Sequence, residues 1–83
     1  MNGWKYLIVN EAAGDVDFAV VFPPCVEHKT MAKLTTGFAG KSVIGAGFVR
    51  VYADHGNLHI ETYGESVSLG IKSQPGDADF FNL

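Results

Sequence analysis

The run from Lys41 to Ala53 constrains this chain most. It is one long extended stretch rich in valine, with Gly45 and Gly47 set inside it. Strand periodicity places Val43, Gly45, Gly47, Val49 and Val51 on one face. Ile44, Ala46, Phe48, Arg50 and Tyr52 fall on the other. Glycine within a strand marks a bend or a close approach by another group, so this strand belongs to a curved sheet. Asp54-His55-Gly56-Asn57 then forms a tight turn, because Gly and Asn tolerate the positive φ of a hairpin turn. Another strand follows over residues 58–63, with Leu58, Ile60 and Thr62 opposite His59, Glu61 and Tyr63.

The remaining elements arrange themselves around that hairpin. Trp4–Val9 and Phe18–Phe22 are β-rich and apolar on both faces, the pattern of strands covered on two sides or lying in an interface. A turn around Gly14 joins them as a hairpin. Pro23-Pro24 stops the second strand, since proline cannot donate to a ladder. A helix is expected from Cys25 to Thr36, ended by Gly37. Val67, Leu69 and Ile71 alternate with Ser66, Ser68 and Gly70, the pattern of a strand over 66–72 buried on one face. Phe80-Phe81 are expected to dock on the body. The expected architecture is a single domain over residues 1–83, mainly β with one helix, in the order β-β-α-β-β-β. Short curved strands in so small a chain point to a five-stranded barrel.

Size sharpens the argument. A chain of 83 residues and 8.9 kDa buries only about 60% of its unfolded surface. Cys25 is the single cysteine, so an internal disulfide is excluded. So small a chain is expected to draw some of its stability from self-association. The sequence has no apolar run of about 20 residues, and no basic segment precedes the first apolar one. A reduced, soluble, cytoplasmic setting without membrane contact is therefore expected.

The segment Gly47-Phe48-Val49-Arg50-Val51-Tyr52-Ala53-Asp54-His55-Gly56-Asn57-Leu58-His59-Ile60 resembles the first signature of Sm-like (LSm) RNA-binding proteins. Tyr52 takes the aromatic place, His55 the stacking place and Asn57-Leu58 the Asn-apolar place. Ala53 stands where that family has aspartate, Gly56 where it has methionine, and the family's Arg-Gly pair is absent. The resemblance implies a circularly permuted Sm-like barrel. It also implies a homo-oligomeric ring of about five to seven subunits, joined through strands 4–10 and 17–22 with Tyr6, Ile8, Phe18 and Val20 as interface residues. Single-stranded RNA or DNA would bind with His55 stacking and Asn57 reading a base edge. Separately, AVVFP, GAGFV and YGESVSLGIKS resemble a large group of proteins of unassigned role from marine phages and ocean metagenomes. That resemblance implies work in the cytoplasm of an infected bacterium.

Charge and chemistry narrow the function. The net charge of −3 argues against a general nucleic-acid binder. Yet Lys29, Lys33, Lys41 and Arg50, four of the six basic residues, lie in the acid-free window from His28 to Ala53. A nucleic-acid site is expected to use them with Tyr52, His55 and Asn57; Tyr63 and Lys72 are candidate additions. The structural alternative is a solvated helix face and a plain hairpin turn. Cys25 and His28 are spaced i, i+3 without an orienting third group, and the cysteine reads as a packed residue. His55 and His59 are too far apart along a strand to share an ion. No phosphate loop, dinucleotide or Ser-His-Asp pattern is present. The expectation is therefore a non-enzyme without metal or cofactor. The alternative is a phage accessory protein that binds a host protein and has no nucleic-acid role.

Overall fold

The computed structural model describes residues 3–11, 14, 16–37 and 42–81. Among these the elements are β1 (Trp4–Glu11), β2 (Val16–Phe22), α1 (His28–Thr36), β3 (Val43–Asp54), β4 (Asn57–Tyr63), β5 (Glu65–Ser66) and β6 (Ile71–Lys72). A short 3₁₀ helix follows at Asp77–Phe81. The fold is mainly β with one helix. Its centre is a curled, four-stranded antiparallel half-barrel sheet in the order β2-β1-β3-β4.

The sheet is covered on both faces. On one side α1 and the β5–β6 ribbon enclose Leu7, Val9, Phe22, Ala32, Val43 and Ala46, with Met31, Leu69 and Ile71 packed around them. On the other, Tyr6, Ile8 and Val49 form a second core closed by Trp4, Ile60 and Phe81. This explains why β1 is apolar on alternate residues of both parities: Tyr6, Leu7 and Ile8 are all fully buried within the chain. The expectation that Tyr6 and Ile8 meet a neighbouring subunit is therefore corrected. They lie in an interior strand that β2 and β3 flank on both edges. Phe18 and Val20 stand on the outer strand, but their side chains pack half-buried against the helix-side core.

Three departures from the sequence expectation matter for the fold. The helix begins at His28 rather than Cys25, because Val26 N–H turns back to the Pro23 carbonyl at 3.1 Å. Gly37 ends it as expected, with φ 77° and its N–H on the Lys33 carbonyl. Residues 66–72 form no single strand. The Ser66 hydroxyl takes the Leu69 N–H at 3.2 Å, the Ser66 carbonyl takes the Gly70 N–H at 2.9 Å, and Gly70 has φ 68°. The chain therefore folds back on itself and leaves Val67 86% exposed. In β3, the pairing passes from Ile8↔Gly45 to Val9↔Val43, a bulge at Ile44. The bulge reverses the alternation, so Val43 joins the helix-side core while Gly45 faces the opposite way.

Both strand glycines mark close approaches. At Gly45 an added Cβ would lie 2.6 and 2.8 Å from the carboxylate oxygens of Asp77. Asp77 cannot yield: it is buried, accepts the Tyr6 hydroxyl at 2.5 Å and accepts the Gln74 N–H at 2.9 Å. Burial, followed by this bond and the carboxylate's charge, pushes the Tyr6 phenol well above its ordinary range, with Thr62 and Ser73 opposing. The phenol therefore remains a donor. At Gly47 a Cβ would meet the Tyr63 carbonyl at 2.5 Å. The Gly47 carbonyl in turn accepts from His28 Nε2 at 2.8 Å. Since a carbonyl only accepts, His28 carries its proton on Nε2. Burial lowers the His28 pKa, Lys5 adds to this, and the Gly47 bond opposes it.

Two predictions follow from these contacts. Gly47→Ala should destabilise the fold by about 1–3 kcal/mol in urea unfolding, since backbone blocks the new methyl. Gly76→Ala, which meets nothing within 4 Å, should stay within about 0.5 kcal/mol of wild type. Equal effects at the two positions would contradict the packing described. For His28, the unfolded chain binds a proton near the ordinary value of 6.5 and the folded chain only at lower pH. This contribution to stability is thus full above that value and declines as pH falls below it. His28→Gln keeps a donor for Gly47 and removes the titration. It should flatten the acid limb of urea midpoint against pH; parallel limbs would refute the assignment.

Candidate nucleic-acid interface

The β3–β4 hairpin carries the candidate site because its two faces are chemically different. Cross-strand pairing sets Phe48↔Tyr63, Arg50↔Glu61, Tyr52↔His59 and Asp54↔Asn57. Side chains of paired residues share a face, so these form one row of aromatic, charged and polar groups. Between them Val49↔Thr62, Val51↔Ile60 and Ala53↔Leu58 form the apolar reverse face. Near the body, Ile60 and Val49 join the second core. Toward the tip the ribbon is open on both sides, and Leu58 is 76% exposed.

The row is continuous from the helix outward. Phe22 and Phe48 each meet the His28 ring edge-to-face, at 5.4 and 5.7 Å between centroids. Tyr63 stacks on Phe48 at 5.7 Å and 23°. The Arg50 guanidinium lies 5.6 Å from the Tyr63 ring centre and 5.9 Å from that of Tyr52. Tyr52 stacks on His59 at 5.3 Å and 21°. Tyr52, His59 and Tyr63 are all exposed, so this order of planar groups lies open to solvent. Arg50 also meets Glu61 Oε1 at 2.5 Å. That pair is half-exposed, and it fixes the guanidinium between the two rings more than it stabilises the fold.

The structure brings together Arg50, Tyr52 and Tyr63, and it adds His59 and Glu61. His59 and Glu61 were not expected at the site from sequence, although the i, i+2 spacing of His59, Glu61 and Tyr63 opposite Tyr52, Arg50 and Phe48 held the signal. His55 is at the tip, its side chain 91% exposed and 3.4 Å from Asp54. Its φ of 49° and the 81° of Gly56 make the turn type I′, so these residues meet the demands of the hairpin itself. Asn57 opens β4 and is exposed. Lys29 and Lys33 are exposed on α1, in which His28 anchors the base of the row. The Lys29 N–H reaches Ser68 Oγ at 3.3 Å, and Lys33 lies about 7 Å farther along the axis from His28. Lys41 lies outside the described residues. Of this window, Arg50 is the residue that lies against the aromatic rings.

Cys25 is exposed while His28 is buried against Gly47 and two phenylalanines, so the two do not form a nucleophile–base pair. Among the described residues, no group of three or more His, Cys, Asp or Glu could hold a metal ion. Among them too, no helix is long and apolar enough to cross a membrane. Comparison of the chain with family models, curated proteins and solved structures gives no match.

Proposed function

We propose that the open face of the β3–β4 ribbon binds single-stranded RNA or DNA by base stacking, without catalysis. The supporting observation is the exposed sequence of planar groups, Tyr63, Arg50, Tyr52 and His59, held in order by neighbours on both strands. Every base has a π-face, so such a row accepts a flexible strand without demanding a sequence. His55 and Asn57 extend the row at the tip, where the Sm-like resemblance assigns stacking and base-edge recognition. The resemblance to marine phage proteins sets this binding in phage-directed processing of nucleic acid.

Charge gives the proposal a distinctive signature. Glu61 neutralises Arg50, and Asp54 adds an acid at the tip, so phosphate contacts contribute little. The slope of log affinity against log salt for a single strand is about −0.7 per phosphate neutralised. A slope near −1 or shallower is expected, against a steep one for a basic groove. In fluorescence anisotropy with U-rich and A-rich oligonucleotides, Tyr52→Ala and Tyr63→Ala should each weaken binding by about 1–3 kcal/mol. Lys33→Ala should change it little. Absence of binding at low salt would remove the proposal, and binding indifferent to both tyrosines would remove this site.

A second reading is favoured by apolar residues left open, Leu34, Leu58 and Val67 among them, on an acidic chain. It is a phage accessory protein that docks on a host protein. Its mark would be a single host partner retained after nuclease treatment and lost in Leu58→Asp, together with no affinity for oligonucleotides.

A further inference from the structure

We infer that the free edge of β4 pairs antiparallel with the same edge of a second copy of this chain, forming a twofold dimer whose sheet runs through both copies. β4 is an outer strand. Its sequence, Asn57 to Tyr63, contains no proline, glycine or lysine, and its register with β3 is unbroken. It thus lacks the devices that normally keep an outer strand from pairing.

The turn fixes which backbone groups are free. A two-residue type I′ turn closes on the hydrogen-bonded pair Asp54↔Asn57. Bonded and non-bonded pairs alternate from there, so the N–H and C=O of Leu58, Ile60 and Thr62 point away from β3. A partner strand must use those residues. Self-pairing centred on His59 sets His59 against His59, and pairing centred on Glu61 sets two glutamates directly opposite, which is destabilising. Pairing centred on Ile60 overlaps the whole strand. It places Ile60 against Ile60, Leu58 against Thr62, and His59 against Glu61 twice by symmetry. The His59–Glu61 positions are then non-bonded pairs, in which side chains come closest. Arg50 holds one Glu61 oxygen, and the carboxylate has a second with which to accept.

The reverse face agrees. Leu58, 76% exposed, would be covered by the other copy's Thr62 and Ile60, which extend the second core across the axis. The opposite outer strand, β2, offers no such match. Its one charged residue, Asp17, is held by Asn10 at 2.7 Å, and β2 has no basic residue to face it. Strand pairing does not depend on nucleic-acid binding: it engages His59 and Glu61 at one side of the row and leaves Tyr52, Arg50 and Tyr63 outside the pair.

Sedimentation equilibrium of the full chain from micromolar to millimolar concentration tests it. The mass should rise toward twice the 8.9 kDa of one chain. Glu61→Lys should raise the dissociation constant by at least about tenfold, and His59→Glu/Glu61→Lys should restore it by reversing the pair. Leu58→Pro removes an outward N–H and leaves the β3–β4 ladder intact, so circular dichroism should stay native while the dimer is lost. A single-chain mass at every concentration, or a mass above two chains, would overturn the inference. So would a dimer indifferent to these variants, or a double variant that fails to restore it.

Discussion

The buried hydrogen bond from the Tyr6 hydroxyl to the Asp77 carboxylate, 2.5 Å long, joins positions 71 residues apart. Much else depends on it. A buried carboxylate needs hydrogen-bond donors, and here its Oδ2 accepts from both the Tyr6 hydroxyl and the Gln74 N–H. The bond seats the 3₁₀ helix against the sheet, which brings Phe81 edge-on to Tyr6 at 5.7 Å and closes the second core. It also requires glycine at position 45, because the carboxylate occupies the space of a side chain there. One polar contact thus couples the first strand, the long strand and the final turn, and it gives a small chain a second covered face without a disulfide.

The same economy of contacts shapes the candidate interface. Gly47 lets the Tyr63 backbone approach closely on one side and gives its carbonyl to His28 on the other. His28 then supports Phe48, Phe48 supports Tyr63, and Tyr63 flanks Arg50. The exposed groups are held in place from a buried imidazole outward, so their order does not depend on the ligand. An ordered, nearly neutral row favours flat partners over highly charged ones. That separates stacking from phosphate recognition as the chemistry available to this ribbon.

Much of this was legible in the residues. The two strand glycines announced close approach, Pro23-Pro24 and Gly37 bracketed the helix, and Asp54-His55-Gly56-Asn57 fixed the hairpin and therefore the pairing of Tyr52 with His59. What was not legible has a common cause: it rests on contacts distant in sequence. The bulge at Ile44 reverses a face only because β1 passes alongside. The break at 67–70 depends on Ser66 hydrogen bonds that compete with a strand. Two-sided apolarity in β1 was compatible with an interface or with two cores, and only the terminal 3₁₀ helix, docked through Asp77, decides between them.

That decision relocates the problem set by a chain of 83 residues. The buried strands owe their protection to the chain itself, and among the described residues no buried side-chain nitrogen or oxygen lacks a partner. The outer half of the β3–β4 ribbon stays uncovered: a free edge, an apolar reverse face ending in Leu58, and a polar aromatic front. An isolated two-stranded ribbon is marginal in water, and its cross-strand pairs contribute only fractions of a kcal/mol each. The ribbon orders its front side chains through its own cross-strand contacts while its edge and back stay open. Base stacking and strand pairing, as proposed for this hairpin, meet at His59 and Glu61, which stand in the front row and would also face the partner strand, so the two are coupled through them.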